Sequence, residues 1–479
     1  MTLTPRDRIK RAVEYLDGWF DFQFLSTSWP GLVAAVQYED ELLWSRAYGL
    51  ADVERGIPLT TGHRMRVASQ SKMFTATAVF ILAERGLLHV DDPVAKHVAW
   101  FRDGVDPDLA KVTIRQLLSH GSGLTRDSSD ARFWDVDRPF PDAGELRDAV
   151  LSSRLVFPSN TRMKYSNIGF GVLGAVIEAV SGQPFGDFVQ DAILNPLGLS
   201  ATGADVDRQA GLAGQAGDAG DAGGAMAVGY GPSHLRAPRV TYPAIATHAL
   251  APATGFYSTV ADLCTFASAH FIGNETLLPD TAKRDMQKIQ WHLPIDGQDY
   301  ASGFDLVQIG DRDIAGHRGA FPGYLSCTRF DANAKIAVSV AVNAQDGRPR
   351  ALSEAALAIL DFFITPKLDE SLRSAPGLVT TDHANRFFSP WGATDLVPVD
   401  DWLLMVDPAA LDPFNAPAVV RLSDADHGTI ARAAGYGSAG EEVSFVRDEA
   451  GRIETADIAG LDYRQWADYL AHRETSLGE

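Results

Sequence analysis

The segment RVASQSKMFTATAVFILAERG, Arg66 to Gly86, decides how this chain is read. After Lys72 nearly every position is apolar (Met73, Phe74, Ala76, Val79, Phe80, Ile81, Leu82, Ala83). A helix that is apolar all round has to be buried, and Gly86 supplies its stop. Near the start of that helix Ser69 and Lys72 stand three residues apart, a spacing that puts both side chains on one face about one turn apart. A hydroxyl and an amine therefore meet at the tip of a buried rod. A serine hydroxyl becomes a nucleophile when a neighbouring base takes its proton, and a lysine serves as that base only when unprotonated. Burial and a second cation both push a lysine toward its neutral form. The helix N-terminus adds backbone N–H groups where an oxyanion would develop. The same residues also suit a plainer role, with Ser69 as an N-cap and Lys72 on the surface of the first turn. The remaining sequence has to choose.

At 479 residues the chain is long for one compact core, so two or more domains are expected. A net charge of −20 argues against nucleic acid or an anionic membrane as a partner, because phosphates would be repelled. The N-terminus, MTLTPRDRIKRAVEYLDGWF, is charged and amphipathic, unlike the apolar run of a secretory signal, so a cytoplasmic location is expected. The best apolar stretch, Ile168 to Val180, is too short for a membrane span and carries Glu178. Twelve histidines are scattered without ligand-like spacing, so neither a metal nor another cofactor is expected. Cys264 and Cys327 are too few for a disulfide framework and read as small core residues.

Along the chain, Pro5 to Phe22 reads as a first helix, followed by strands at Gly31 to Glu39 and Leu42 to Leu50. Thr113 caps a short helix over Val112 to Ser119, which His120-Gly121-Ser122-Gly123 breaks. Asp127 to Asp142 is a long polar loop of the kind that often faces substrate. Ile168 to Val180 is a second apolar helix whose Gly169, Gly171 and Gly174 allow close packing. Gln209 to Met226 is almost entirely Ala, Gly and Asp, and is expected to be a mobile loop. Ser258 or Thr259 caps a helix ending at Phe266; strands follow at Gly303 to Ile309, Arg312 to Gly316, Gly323 to Phe330 and Ile336 to Asn343, and Ser353 to Ile364 closes with a helix. Residues 1–365 are thus expected to form one domain and 366–385 a linker. Residues 386–479 read as a small antiparallel barrel or sandwich, with strands at Asp401 to Val406, Val419 to Leu422, Gly428 to Ala433, Glu442 to Arg447 and Arg452 to Ala456.

Two further motifs carry polar chemistry: Tyr165-Ser166-Asn167 where a loop enters the second apolar helix, and Gly316-His317-Arg318-Gly319-Ala320 between two expected strands. Each alone fits a structural role. Together and in this order, with Ser69-Gln70-Ser71-Lys72, they resemble the serine β-lactamase, penicillin-binding protein and D-aminopeptidase superfamily. The likeness extends through VTIRQLLSHGSGL (Val112 to Leu124), NPLGLSAT (Asn195 to Thr202) and PATGFYSTVA (Pro252 to Ala261), covering roughly residues 10–365. The resemblance implies an α+β fold: a five-stranded antiparallel sheet flanked by helices beside an all-helical subdomain, followed here by a lipocalin-like β-barrel of the kind appended to D-aminopeptidase-like peptidases. It also implies that Ser69 is the acylated nucleophile, Lys72 its base, Tyr165 a proton relay and Asn167 the residue orienting Lys72 and substrate. His317 takes a slot held by lysine in most β-lactamases, Arg318 and Gly319 contact substrate, and the backbone N–H groups of Ser69 and Ala320 form the oxyanion hole. A histidine there is only partly charged near neutral pH, which disfavours antibiotic hydrolysis. No counterpart of the deacylating glutamate of one β-lactamase class is present. The function expected is a cytoplasmic serine hydrolase cleaving amide or peptide bonds of small molecules or short peptides, D-residue peptides among them. The alternatives are an esterase of the same fold and a non-catalytic binding module; a homodimer contact or a scaffold is the plainer reading of the barrel.

Overall fold

The computed structural model describes residues 4–136, 138–206, 225–234, 238–293, 297–434 and 438–477. Most of the Gly/Ala-rich stretch expected to be a mobile loop, residues 209–224, lies outside them. The chain separates into two compact units, residues 28–357 and residues 1–27 together with 358–479.

Helix α1 (Pro5–Leu25) starts at a capping box in which Thr4 and Asp7 satisfy each other's backbone N–H, with proline in the first turn. In the 28–357 unit, β1 (Gly31–Tyr38) and β2 (Glu41–Asp52) form an antiparallel pair, and β3 (Ile57–Pro58) extends it at the edge. The helical part follows. Helix α2 (Ser71–Glu84) is buried at every position from Ser71 to Leu82 and stops where Gly86 adopts φ 71°. Helix α3 (Ile114–Leu118) carries the expected Thr113 cap. Helix α4 (Asn167–Ser181) is capped by Ser166 and ends at left-handed Gly182. Its Gly174 is required by packing, because a Cβ there would stand 2.4 Å from Pro252 Cγ. Helix α5 (Val260–Ser268) begins at Thr259 and packs on the sheet, where Cys264 Sγ faces Ala35 O at 3.7 Å.

Six strands then complete the sheet: β4 (Trp291–Leu293), β5 (Gln298–Tyr300), β6 (Asp305–Ile309), β7 (Arg312–Phe321), β8 (Tyr324–Asp331) and β9 (Ile336–Val342). The order is β3-β2-β1-β9-β8-β7-β6-β5-β4. Five long strands, β2-β1-β9-β8-β7, make the expected antiparallel core, and the shorter edge strands lengthen it to nine. All seven residues of β9, like the first seven of β1, are buried, so the centre of the sheet is covered on both faces. A single apolar cluster joins the sheet (Val33, Ala35, Phe330) to α2 (Phe74, Val79) and α4 (Ile168, Phe170), so the Ser69 turn rests on the core. One expectation is corrected. Gly316 to Ala320 lies inside the continuous strand β7 rather than between two strands, because its glycines serve close approach and not a turn.

Helix α6 (Pro349–Ile364) closes the 28–357 region and runs on into the second unit. There, eight antiparallel strands close a barrel: β10 (Asn385–Ser389), β11 (Gly392–Val399), β12 (Trp402–Val406), β13 (Ala418–Leu422), β14 (His427–Arg432), β15 (Glu442–Arg447), β16 (Ile453–Ile458) and β17 (Leu461–Arg464). Eight strands leave an interior that side chains fill; here Phe387, Leu403, Val420, Phe445 and Ile453 fill it. In the same unit Trp19 Nε1 of α1 donates to Ala410 O at 3.2 Å.

Candidate active site

Ser69 sits on a single 3₁₀ turn, Ala68–Gln70, leading into α2. Ala68 is held at φ 50°, a left-handed conformation that costs a non-glycine residue about 1–3 kcal/mol and persists only where the surroundings impose it. They do. Val67 N donates to Phe256 O at 3.0 Å, Gln70 Nε2 to Ser326 Oγ at 2.7 Å, and Phe256 N to Ser71 Oγ at 3.0 Å. The turn is thus tied to β8 and to the segment before α5.

Lys72 is fully buried, and its Nζ lies 2.9 Å from Asn167 Oδ1, 2.8 Å from Ala253 O and 3.2 Å from Ser69 Oγ. Burial, followed by the nearby Arg126 charge and opposed by Asp127, holds this ammonium well below its ordinary pKa. Asn167 Oδ1 and Ala253 O can only accept, so Lys72 Nζ donates to both, and Ser69 Oγ is its third neighbour. Asn167 is oriented in turn by Nδ2 donating to Asp127 Oδ1 at 3.0 Å.

The Tyr165 ring lies under Lys72 Nζ at 4.7 Å from its centroid. Burial raises the pKa of Tyr165 above that of an ordinary phenol, with hydrogen bonding to Ser69 opposing, so the side chain is a proton donor at neutral pH. Ser69, Lys72, Tyr165 and Asn167, expected to meet, do meet.

His317, Gly319 and Ala320 lie on β7 along the same cleft. Gly319 is irreplaceable on steric grounds, since a Cβ would fall 2.0 Å from Val67 O. Strand β6 pairs with β7 only as far as Gly316. Beyond it, no strand pairs with the β7 edge away from β8 among the described residues, and Arg318, Gly319 and Ala320 line the cleft there. His317 is buried; its Nδ1 is 2.6 Å from Arg318 O and its Nε2 3.3 Å from Tyr300 Oη. Burial lowers its pKa to about 4 against the opposing pull of Asp305, with Lys72 adding to the fall. The imidazole is therefore neutral at pH 7. The side chain of Arg318 is exposed at the cleft mouth.

The cleft encloses about 670 Å³, with Ser69, Tyr165, Tyr300, His317 and Ala320 on its wall. Among the described residues no cluster of three or more His, Cys, Asp or Glu side chains could hold a metal ion.

Four residues at or behind the site carried no sequence signal of their own. Asp127 orients Asn167. Tyr300 faces His317. Asp305, whose ionisation burial opposes but Arg329 and His317 favour, keeps a lowered pKa behind His317. His120 is the fourth. It read only as a helix breaker, yet it is fully buried at φ 58°, accepts Ser166 N at Nδ1 (3.1 Å) and lays its ring 4.1 Å from that of Tyr165. Burial holds its pKa well below that of an ordinary imidazole. The motif LLSHGSGL that contains it was its only flag.

A family model described as beta-lactamase matches residues 9–361. Esterase EstB of Burkholderia gladioli is 35% identical over 208 residues, 39% of this chain and 50% of that protein. Protein flp of Staphylococcus aureus (strain MW2) is 28% identical over 175 residues, 36% of this chain and 34% of that protein. The chain thus spans half or less of the length of these curated relatives. Among solved structures, the octameric penicillin-binding protein homologue from Pyrococcus abyssi superimposes with a TM-score of 0.63 at 20% identity, over 95% of this chain and 100% of that one. D-amino acid amidase from Ochrobactrum anthropi SV3, complexed with L-phenylalanine amide, gives 0.59 at 23% identity, over 74% and 98%. At these identities the structural matches speak for the fold alone. With its antiparallel sheet, its Ser69 turn on a buried helix and a family match over most of its length, the chain belongs to the β-lactamase family of serine-hydrolase-like proteins.

Proposed function

We propose that the protein hydrolyses amide and ester bonds of small carboxylic substrates through a covalent acyl-enzyme on Ser69. The observation that carries this reading is the buried Lys72 amine, 3.2 Å from Ser69 Oγ and held there by Asn167 Oδ1 and Ala253 O. Lys72 accepts the hydroxyl proton as Ser69 Oγ bonds to the carbonyl carbon. The oxyanion is received by the backbone N–H groups of Ser69 and Ala320. Tyr165 donates its phenol proton to the leaving nitrogen or oxygen and is reprotonated from Lys72. Water then attacks the acyl-serine, giving its proton to the same base and returning Ser69 as the leaving group. Peptides containing D-residues are the amide substrates of first choice; the 35% identity to a protein named an esterase favours esters as the second reading.

A panel of p-nitrophenyl esters and of N-succinyl D- and L-amino acid p-nitroanilides, which carry no free ammonium, separates the two. Ester turnover without any anilide cleavage removes the amide reading. A fluorophosphonate probe is expected to add one phosphonyl group to wild type and none to Ser69→Ala, read by intact mass. Absence of both labelling and turnover overturns the enzymatic assignment and leaves a binding module.

A further inference from the structure

Four arginines, Arg126, Arg318, Arg348 and Arg350, line the cleft, and among the described residues Asp305 is its one acidic lining residue. This is unexpected in a chain of net charge −20. Arg126 Nε stands 3.4 Å from Asp127 Oδ2. Arg350 Nε is 3.0 Å from Glu354 Oε1, which also takes Arg329 Nη2 at 3.0 Å, and Arg329 pairs on its other side with Asp305. Arg126 is balanced by Asp127, and Arg350 with Arg329 by Glu354 with Asp305. Two guanidiniums, Arg318 and Arg348, are left exposed and form no ion pair with a described carboxylate; Arg318 acts on Asp305 only at longer range.

From this arrangement we infer that the cleft selects substrates carrying a carboxylate away from the scissile carbonyl, and disfavours those carrying a free ammonium. The inference rests on the Ser69 hydrolase reading and narrows it. The groups that could otherwise hold an anion, Lys72 and His317, are buried, and burial disfavours the charged form of each, so the job falls to the rim. A guanidinium meets a carboxylate in a two-pronged, charge-assisted geometry, and a like-charged ammonium is repelled by both. A peptide presented by its free amino end is therefore a poor fit, whereas a dicarboxylic monoester or an acyl group ending in a carboxylate fits well.

Three p-nitrophenyl esters of matched chain length test this: the neutral pentanoate, the hemiglutarate with its free carboxylate, and the aminobutanoate with its ammonium. Wild type is expected to favour hemiglutarate over pentanoate by roughly tenfold or more in kcat/KM at low salt, to place the ammonium ester last, and to lose this ranking at high salt. In the double variant Arg318→Gln/Arg348→Gln the ratio of hemiglutarate to pentanoate should fall to near unity. Equal rates in wild type, a preference for the ammonium ester, or a ratio unchanged in the double variant overturns the inference while leaving the hydrolase reading standing. If none of the esters is turned over, the hydrolase reading fails, and titration calorimetry with glutarate against glutaramide decides the charge inference alone. Glutarate binding that is lost in the double variant supports it, and equal or absent binding of the two overturns it.

Discussion

Replacing Gly319 by alanine tests whether the β7 strand and the Ser69 turn are as tightly registered as their contacts require. The added methyl would lie 2.0 Å from Val67 O, 2.6 Å from Ser326 Oγ and 2.9 Å from Val67 C. A carbon and a carbonyl oxygen approach no closer than about 3.3 Å without strain, so strand and turn must separate by about 1.3 Å. Neither side yields easily. Val67 is fixed through its N–H on Phe256 O, and β7 is fixed by its ladder with β8. The separation moves Ala320 away from Ser69, opening the place where the oxyanion is to be held. A misplacement of this order costs about 10²-fold in rate, or about 2.7 kcal/mol, and overpacking of this kind costs about 1–3 kcal/mol of stability.

The assay is kcat/KM on a p-nitrophenyl ester together with the rate of fluorophosphonate labelling and the melting temperature. Gly186→Ala is the control, because nothing lies within 4 Å of a Cβ at that helical position. Turnover by Gly319→Ala within about threefold of wild type would refute the argument that this contact sets the geometry of the site.

Three further outcomes are expected. Lys72→Ala should lower kcat/KM by about 10³-fold or more, as removal of a general base does, and a rising limb in the pH–rate profile should report Lys72 losing its proton well below the ordinary lysine range. His317 and His270, both buried, have pKa values lowered from 6.5 to about 4. The unfolded chain binds the extra protons, so stability is lost as pH falls from about 6.5 toward 4, by about 3 kcal/mol for each histidine. Urea unfolding of His317→Gln across that window should show a correspondingly smaller loss than wild type. At position 120, asparagine tolerates the left-handed backbone and can offer Oδ1 to Ser166 N, whereas phenylalanine does neither. His120→Asn should keep most of kcat, and His120→Phe should lose about 10²-fold in kcat with KM little changed, because the Tyr165-Ser166-Asn167 segment then loses its anchor.

What the sequence made legible follows the range of the contacts. Ser69 and Lys72 are three residues apart on a helix, so their meeting is written locally, and the all-round apolar pattern after Lys72 foretold the burial found in α2. Tyr165, Asn167 and His317 became candidates through family resemblance, since they reach the site from distant elements and no local spacing joins them. Asp127, Tyr300 and His120 stayed hidden for the same reason. A buried histidine that positions a loop and one that fills a core look alike until its partners are known. The sequence places Gly316 to Ala320 between two strands, whereas β7 runs through it without a break. The cause of its glycines is proximity, with a Cβ at 316 falling 2.0 Å from Thr328 O and one at 319 equally close to Val67 O. In the barrel, five strands showed clear alternation. The hairpin β10–β11, interrupted by Ser389-Pro390-Trp391-Gly392 and carrying Pro398, did not.

One physical cause, exclusion of water, sets every proton in the site. It pushes the Lys72 pKa well below the ordinary lysine range, as a base here would need; it lowers the pKa values of His317 and His120, and it keeps Tyr165 a phenol. The fixed positive charge nearest these groups, Arg126, is paired with Asp127, so little is left at the base of the cleft with which to hold an anionic substrate. Placing a permanent cation at 317 would provide that grip, yet it would stand among buried groups already coupled to Lys72 and push the amine's pKa lower still. The arrangement found here separates the two tasks. Uncharged acid–base groups sit at the base of the cleft, and the fixed charge stands in water at its mouth on Arg318 and Arg348. Such a division lets the charge of the substrate alter its capture without altering the proton transfers. A change in ionic strength should therefore move KM for an anionic ester and leave its kcat in place.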